Sequence, residues 1–288
     1  MPADGTITDV NEPTALRRAR FVVAYHGSGL HGFAPNPGVT TVVGLLTEAF
    51  SRIARRPVEI VGAGRTDAGV HAWGQVVSCD LGADTRLDDL IRRVNRMCAP
   101  GVVLRRGEWV ADDFSARFSA LWRHYRYTVY SGAVANPFLT STAWHVRQPL
   151  SLPAMQLGCD PLIGEHDFSS FCRRPDVREG GSEPSMRRRV MLAHWTDVTA
   201  QTAAAVPFGG EARVFRFDIR ANAFCHQMVR SIVGTMVDVG RGRLPAGNIR
   251  ALMLARNRQL AAHVAPAHGL VLWEVGYGDE SVLDQRLR

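Results

Sequence analysis

VEIVGAGRTDAGVHAWGQVVSCDL, residues 58–81, decides the fold, because its glycines admit two readings. A glycine-rich turn that leaves a strand and enters a helix as G-x-G-x-x-G cradles the pyrophosphate of a dinucleotide and opens a doubly wound α/β sheet. Gly62 and Gly64 begin that pattern, but Asp67 stands where the third glycine belongs. HAWGQVVSCDL (71–81), which follows, reads as a strand and not as a helix. With VEIVGAG (58–64) as the strand before it, the stretch is strand, turn, strand. Its glycines bend the chain between two neighbours of a sheet.

Working outward, RFVVAYHG (20–27) is apolar, β-like and closed by glycine. VVGLLTEAFSRIARR (42–56) repeats apolar residues at helical spacing, and its basic end suits a helix C-terminus. LDDLIRRVNRMC (87–98) is helical and stops before Pro100, and VVLRRGEWV (102–110) is a strand. The order is β-α-β-β-α-β, and it recurs. WRHYRYTVYSG (122–132) is a strand, a helical stretch follows over about 150–165, and 187–200 and 212–221 are strands. FCHQMVRSIVGTMVDVG (224–240) is a long helix with shorter turns up to about 262, and GLVLWEVGYG (269–278) closes as a strand. No residue-level repeat accompanies this likeness. The fold class is therefore expected to be α+β, two ferredoxin-like halves, each with its helices on one sheet face. Residues 1–16 are expected to form a flexible tail, 17–113 the first half and 114–283 the second, the boundary falling in ADDFSARFSAL (111–121).

At 46% hydrophobic and 21% charged, the 288 residues are those of a globular protein, neither disordered nor fibrous. No apolar run approaches the ~20 residues of a membrane span. The first residues lack the apolar core of a signal peptide. Five cysteines, Cys79, Cys98, Cys159, Cys172 and Cys225, are scattered without a C-x-x-C pair. Reduced thiols and a cytoplasmic protein are expected on these grounds. His26 and His31, and Cys225 beside His226, lack a second pair at finger-like spacing, so no metal site is expected. Arginine supplies all 34 basic residues against 27 acids, a net charge of +7. That balance favours a polyanionic partner. The lack of lysine, with abundant alanine and glycine, is also the mark of a GC-rich genome.

Asp67 is the lone acid of its turn, so the paired carboxylates of a glycosidase are missing. Two roles are open to it: a turn cap, or a nucleophile held by a cation in a closed pocket. Arg65, two residues before it, is open between surface charge and function. In RHYRYTVY (123–130), Tyr125, Tyr127 and Val129 share one strand face, and Arg126, Thr128 and Tyr130 share the other. Core packing and a stacking platform for splayed RNA bases both fit that pattern. In ANAFCHQMVRSIVG (221–234), Phe224, Met228, Val229, Ile232 and Val233 line an apolar helix face. Arg230 projects opposite, one turn before Gly234, where the missing side chain lets another backbone or a ligand come close. CRRPDVREGGSEPSMRRRV (172–190) reads as a mobile loop whose arginines either solvate a surface or grip phosphate.

GAGRTDAGVHA (62–72), RHYRYTVY, ANAFCHQMVRSIVGTMVDVGRG (221–242) and PAHGLVLWEVGY (266–277) stand in the order and spacing of the tRNA pseudouridine synthase A family. The chain resembles that family from about residue 20 to 278. The resemblance implies the pseudouridine synthase fold, two α+β halves in a continuous, mostly antiparallel sheet with a basic RNA-binding cleft between them. It implies a homodimer without metal or organic cofactor that converts uridines 38, 39 and 40 of the tRNA anticodon stem-loop to pseudouridine. By position, Asp67 resembles the catalytic nucleophile, and Arg230 the arginine that pairs with it and keeps it charged. Arg65 resembles the residue that helps extrude the target nucleotide, and Tyr125 the tyrosine that stacks on the flipped base. His124 departs from the arginine or lysine common before that tyrosine, and the 172–190 loop looks longer than usual. Competing expectations are a synthase subfamily with another RNA target and a non-catalytic RNA-binding protein that uses the cleft as a clamp.

Overall fold

The alternation of strand β1 (Leu16–Tyr25) gives the sheet its two sides. Ala19, Phe21, Val23 and Tyr25 are buried, while Arg18, Arg20 and Val22 between them are partly open. Phe21 meets Phe50 of helix α1 (Val42–Ala54) edge-on, ring centroids 5.2 Å apart, so α1 covers the apolar side. On the other side Arg18 pairs with Asp80 and Arg20 with Glu108, both across to neighbouring strands. The computed structural model describes residues 15–174, 184–203 and 210–278. Residues 1–14 of the expected tail, 175–183 of the expected loop and 279–283 of the expected second half lie outside the described residues.

The first half continues through β2 (Val61–Gly62), β3 (His71–Gly82), α2 (Leu87–Cys98) and β4 (Val102–Trp109). The second runs β5 (Trp122–Ser131), β6 (Trp144–Val146), α3 (Leu152–Leu157), β7 (Gly164–Asp167), β8 (Arg187–Asp197) and α4 (Thr199–Ala203). It ends with β9 (Arg213–Ala221), α5 (Met228–Gly240), α6 (Asn248–Ala255) and β10 (Leu270–Gly276). The ten strands make one sheet in the order β4-β1-β3-β10-β5-β9-β8-β7, with β2 beside β3 and β6 beside β5. Setting aside the short β6 and β7, the strands of each half stand fourth, first, third, second in space. That is the expected ferredoxin-like α+β arrangement, and one apolar core runs through both halves.

The halves join where β10 runs parallel to the start of β3, Val271 opposite His71 and Leu272 opposite Ala72. Except for this junction and β5–β6, the pairings are antiparallel. β2 pairs with β3 further along, at Val61–Ser78 and Gly62–Val77. The turn carrying Asp67 therefore leaves β2 and returns into β3 at the seam between the two halves.

Several expected elements are shorter than their apolar runs. The strand expected over 58–64 pairs only at Val61–Gly62, because side chains take the next carbonyls: Arg123 bonds Ala63 O and Gln75 bonds Gly64 O. The helix expected over about 150–165 is α3 followed by a single 3-10 turn at Asp160–Leu162. Gly158 and Pro161 interrupt it. The helix expected over 224–240 starts at Met228, because Gln227 is left-handed with φ 62°. Phe224 consequently lies before the helix and not on its apolar face. The strand expected over 187–200 ends at Asp197. The short strands β6 and β7 were not expected.

Candidate active site

The turn between β2 and β3 is held from several sides. Gly69 is left-handed, φ 79°, and Val70 N donates to Asp67 O at 3.2 Å, closing the chain around Asp67. Phe33 N donates to Thr66 O, and the hydroxyls of Thr66 and Tyr25 meet at 2.8 Å. Beneath the turn, Gln75 Nε2 donates to Gly64 O at 2.8 Å. These contacts fix backbone on both sides of Asp67 and leave its carboxylate facing the second half.

α5 supplies the partners. Arg230 Nη1 donates to Asp67 Oδ2 at 2.9 Å, across 163 residues of sequence. Arg230 Nε donates to Ala265 O at 2.8 Å, and Ala265 N donates back to Arg230 O at 3.1 Å. The segment before β10 can run this close because of Gly234, where an added Cβ would stand 2.0 Å from His263 O. The small residue one turn after Arg230 thus admits another backbone. The Arg230 side chain is 16% exposed and that of Asp67 28%, so the pair is sheltered yet open on one side. On the remaining carboxylate oxygen, His226 Nε2 lies 3.3 Å from Asp67 Oδ1.

Tyr125 rises from β5 beside this pair and is 7% exposed, its ring edge-on to Phe224 with centroids 5.0 Å apart. Burial pushes its hydroxyl above the ordinary phenol range, and the neighbouring Tyr25 and Asp67 add to the rise while Arg123 opposes it. Arg65 stands exposed at the tip of the turn, without an ion-pair or hydrogen-bond partner among the described residues. Of the four residues singled out in the sequence, Asp67 and Arg230 are in direct contact, Tyr125 lies close enough for the Asp67 charge to act on its hydroxyl, and Arg65 is two positions from Asp67 on the same turn.

Two residues at the site were not singled out for it. His226 carried only a weak signal, its place four positions before Arg230, because the left-handed Gln227 between them keeps it out of the helix. Arg123 carried none. Its guanidinium donates to Ala63 O, Ala120 O, Arg117 O and Asn222 O at 2.8–3.1 Å. It thereby ties the Asp67 turn to the linker between the halves and to the segment leading into α5. No group of three or more His, Cys, Asp or Glu side chains among the described residues could hold a metal ion. No helix among them is long and apolar enough to cross a membrane.

Residues 159–278 match the family model described as tRNA pseudouridine synthase, and with the full-length relatives that follow this makes the class that of the pseudouridine synthases, isomerases in their chemistry. A Brevibacillus brevis protein called tRNA pseudouridine synthase A is 36% identical over 262 residues, 91% of this chain and all of that one. Proteins of the same name from Frankia casuarinae and Leifsonia xyli are 39% and 37% identical, covering 94% and 93% of this chain and 93% and 94% of theirs. The chain belongs to the tRNA pseudouridine synthase A family.

Proposed function

We propose that this chain converts uridine to pseudouridine at positions 38, 39 and 40 of the tRNA anticodon stem-loop, with Asp67 as the nucleophile. The observation that carries the reading is the Asp67–Arg230 pair, an acid on a pinned turn held by an arginine of the other half. A pure RNA clamp has no use for a carboxylate where an anionic ligand binds. The net charge of +7 favours a polyanionic partner such as tRNA.

In this reading the target nucleotide leaves the stack before the carboxylate can reach it. Arg65, exposed on the turn, helps to extrude it, and Tyr125 forms the wall against which the uracil stacks. Arg230 holds Oδ2 of Asp67 while the opposite oxygen faces the base. The carboxylate adds either to C6 of the ring or to C1′ of the sugar. The N1–C1′ bond breaks, the uracil turns and C5 joins C1′. The carbon–oxygen bond to Asp67 breaks with its electron pair returning to the carboxylate, the C5 proton leaves to a base, and N1 takes up a proton. Substrate and product are isomers, so the sequence needs no oxidant, metal or group-carrying cofactor. Two copies acting together as a homodimer, in the cytoplasm, complete the proposal.

The test is Asp67→Asn, assayed by mapping pseudouridine in undermodified tRNA. The amide is isosteric and suits turns as aspartate does, so fold and tRNA affinity are expected to persist. Turnover falls to background, because an amide cannot form the covalent intermediate. Pseudouridine formation at the parent rate, with unchanged melting temperature, removes Asp67 from the mechanism.

A further inference from the structure

Whichever carbon the carboxylate attacks, the last step breaks the C5–H bond. Its electron pair becomes the C5=C6 double bond, either as the C6–O bond to Asp67 breaks and returns its pair to the carboxylate or as the C6=N1 pair passes to N1, which takes a proton. The C5 proton must pass to a base. Around Asp67 the choice is narrow. The guanidinium groups of Arg65, Arg123 and Arg230 accept no proton. The Tyr125 hydroxyl, raised by burial, keeps its own proton near neutrality. Asp67 itself has just served as the attacking group, with one oxygen held by Arg230.

His226 meets the requirements. Its Nε2 lies 3.3 Å from Asp67 Oδ1, the oxygen that Arg230 does not hold, and its side chain is 45% exposed, so a proton accepted inside the site has a path to water. Imidazole both takes and gives a proton in this range. The backbone sets the residue there deliberately. Gln227, next in the chain, is a non-glycine residue in the left-handed region at φ 62°, a conformation that carries strain and concentrates at functional sites. Arg173 N donates to His226 O at 3.0 Å, fixing the other side. Without the left-handed residue the helix would extend backwards through 226. With it, the imidazole turns onto the carboxylate.

We infer that His226 is the catalytic base that removes the C5 proton of the rearranged uracil, through Nε2, and passes it to solvent. The inference rests on Asp67 being the nucleophile and adds the second half of the reaction to that reading.

The experiment is single-turnover conversion of tRNA carrying either ordinary or 5-deuterated uridine at the target position. His226→Gln keeps a polar group beside Asp67 Oδ1 but provides no base. It is expected to bind tRNA as the parent does, to lose roughly 10²-fold or more in rate, and to show a larger deuterium isotope effect than the parent. His226→Ala, which leaves room, is expected to regain rate when imidazole is added. A Gln variant as fast as the parent overturns the inference. So does a slow variant with no increase in isotope effect and no rescue of the Ala variant. Asp67→Asn run alongside separates the two readings: a dead Asp67→Asn with a fully active His226→Gln removes only the base, whereas an active Asp67→Asn removes the nucleophile.

Discussion

Gly234 lies beneath the carbonyl of His263, so close that a Cβ on it would come within 2.0 Å of the oxygen. The same approach delivers Ala265 to both the Nε and the backbone carbonyl of Arg230. Gly234→Ala therefore cannot be accommodated by a side-chain movement, since the atom in the way is backbone. The strand-entry segment must lift, and Arg230 loses its second anchor. Overpacking of this kind costs about 1–3 kcal/mol, and each kcal/mol lowers the melting temperature of a chain this size by roughly 2–4 °C. The expected outcome is a melting temperature lower by several degrees and a loss of turnover larger than the loss of tRNA affinity. Thermal unfolding measured beside kcat checks it, and a variant with normal kcat would show that the Ala265 anchor is dispensable.

Arg123 is predicted to be a structural clamp whose loss is felt in the Asp67 turn. It satisfies carbonyls of Ala63, Arg117, Ala120 and Asn222, and no carboxylate is among its partners. Arg123→Met keeps much of the length and apolar stem but leaves those oxygens without donors. The bonds to Asn222 O and Arg117 O are exposed, so water replaces them, while Ala63 O and Ala120 O are partly buried. A buried group left unpaired costs about 1–3 kcal/mol, so a loss of roughly 1–3 kcal/mol is expected in urea unfolding. Hydrogen exchange should rise at the 63–70 turn more than in β1 or α2. Protection unchanged at the turn would mean that Gln75 and Thr66 hold it without help.

Stability is predicted to fall with acid in two stages. His71 Nδ1 accepts from Gly27 N at 2.9 Å, and its Nε2 lies 3.0 Å from the carbonyls of both Ser141 and His268, so the ring is neutral with its proton on Nε2. Burial, then the nearby His26, lower its pKa below the ordinary 6.5. The unfolded chain takes up that proton first, so this contribution is whole above about 6.5 and declines as pH falls from there. Burial alone would raise the carboxyl of Asp218, but His124, Arg216 and Arg126 outweigh it and hold it well below 3.8. Its contribution is whole above about 3.8 and is lost below. Melting temperatures across the acid range should show both declines. Asp218→Asn should shrink the lower one while costing roughly 3 kcal/mol near neutrality, because three basic groups lose their buried partner. The part that remains is due to Glu108 and Asp167, whose carboxyls are also held below their ordinary range. A single decline, beginning only below pH 4, would show that His71 does not report on folding.

How much of this was legible in the sequence depends on range. The long strands and α2, whose expected span of 87–98 is the observed one, declare themselves by period and by their breakers. β6 and β7, of three and four residues, are too short to show a period and exist only because a neighbouring edge was open. At the site, the residue types and the special turn were readable, but contacts were not. Nothing local announces that Asp67 and Arg230 meet across 163 residues. Gln227 hides the position of His226: an amide side chain gives no sign of a left-handed backbone, so the apolar period reads as a helix one turn longer than α5. Arg123 looked like any strand arginine because its partners are all carbonyls, which no sequence pattern records.

Tyr125 offers the sharpest separation of a stacking wall from ordinary core. It is 7% exposed and touches Phe224, so truncation to Ala would lose core packing as well as any contact with a base. Phe/Tyr-sized cavities cost about 3–5 kcal/mol, enough to obscure the functional effect. Two volume-retaining variants avoid this. Tyr125→Phe keeps the ring and removes only a hydroxyl that burial holds protonated, and is expected to bind tRNA and turn over within a few-fold of the parent if stacking is the role. Tyr125→Leu keeps apolar volume at a cost of roughly 1.5 kcal/mol but removes the aromatic face, and is expected to lose about 1–3 kcal/mol of base contact. The loss should fall on the single-turnover rate more than on Kd, since one flipped base is a small part of a binding surface dominated by phosphates. If Leu turns over as Phe does, the ring takes no part with the base and Tyr125 belongs to the core alone. If Phe fails as badly as Leu, the hydroxyl carries the function, and the site works by proton or hydrogen-bond donation from Tyr125 instead of by stacking.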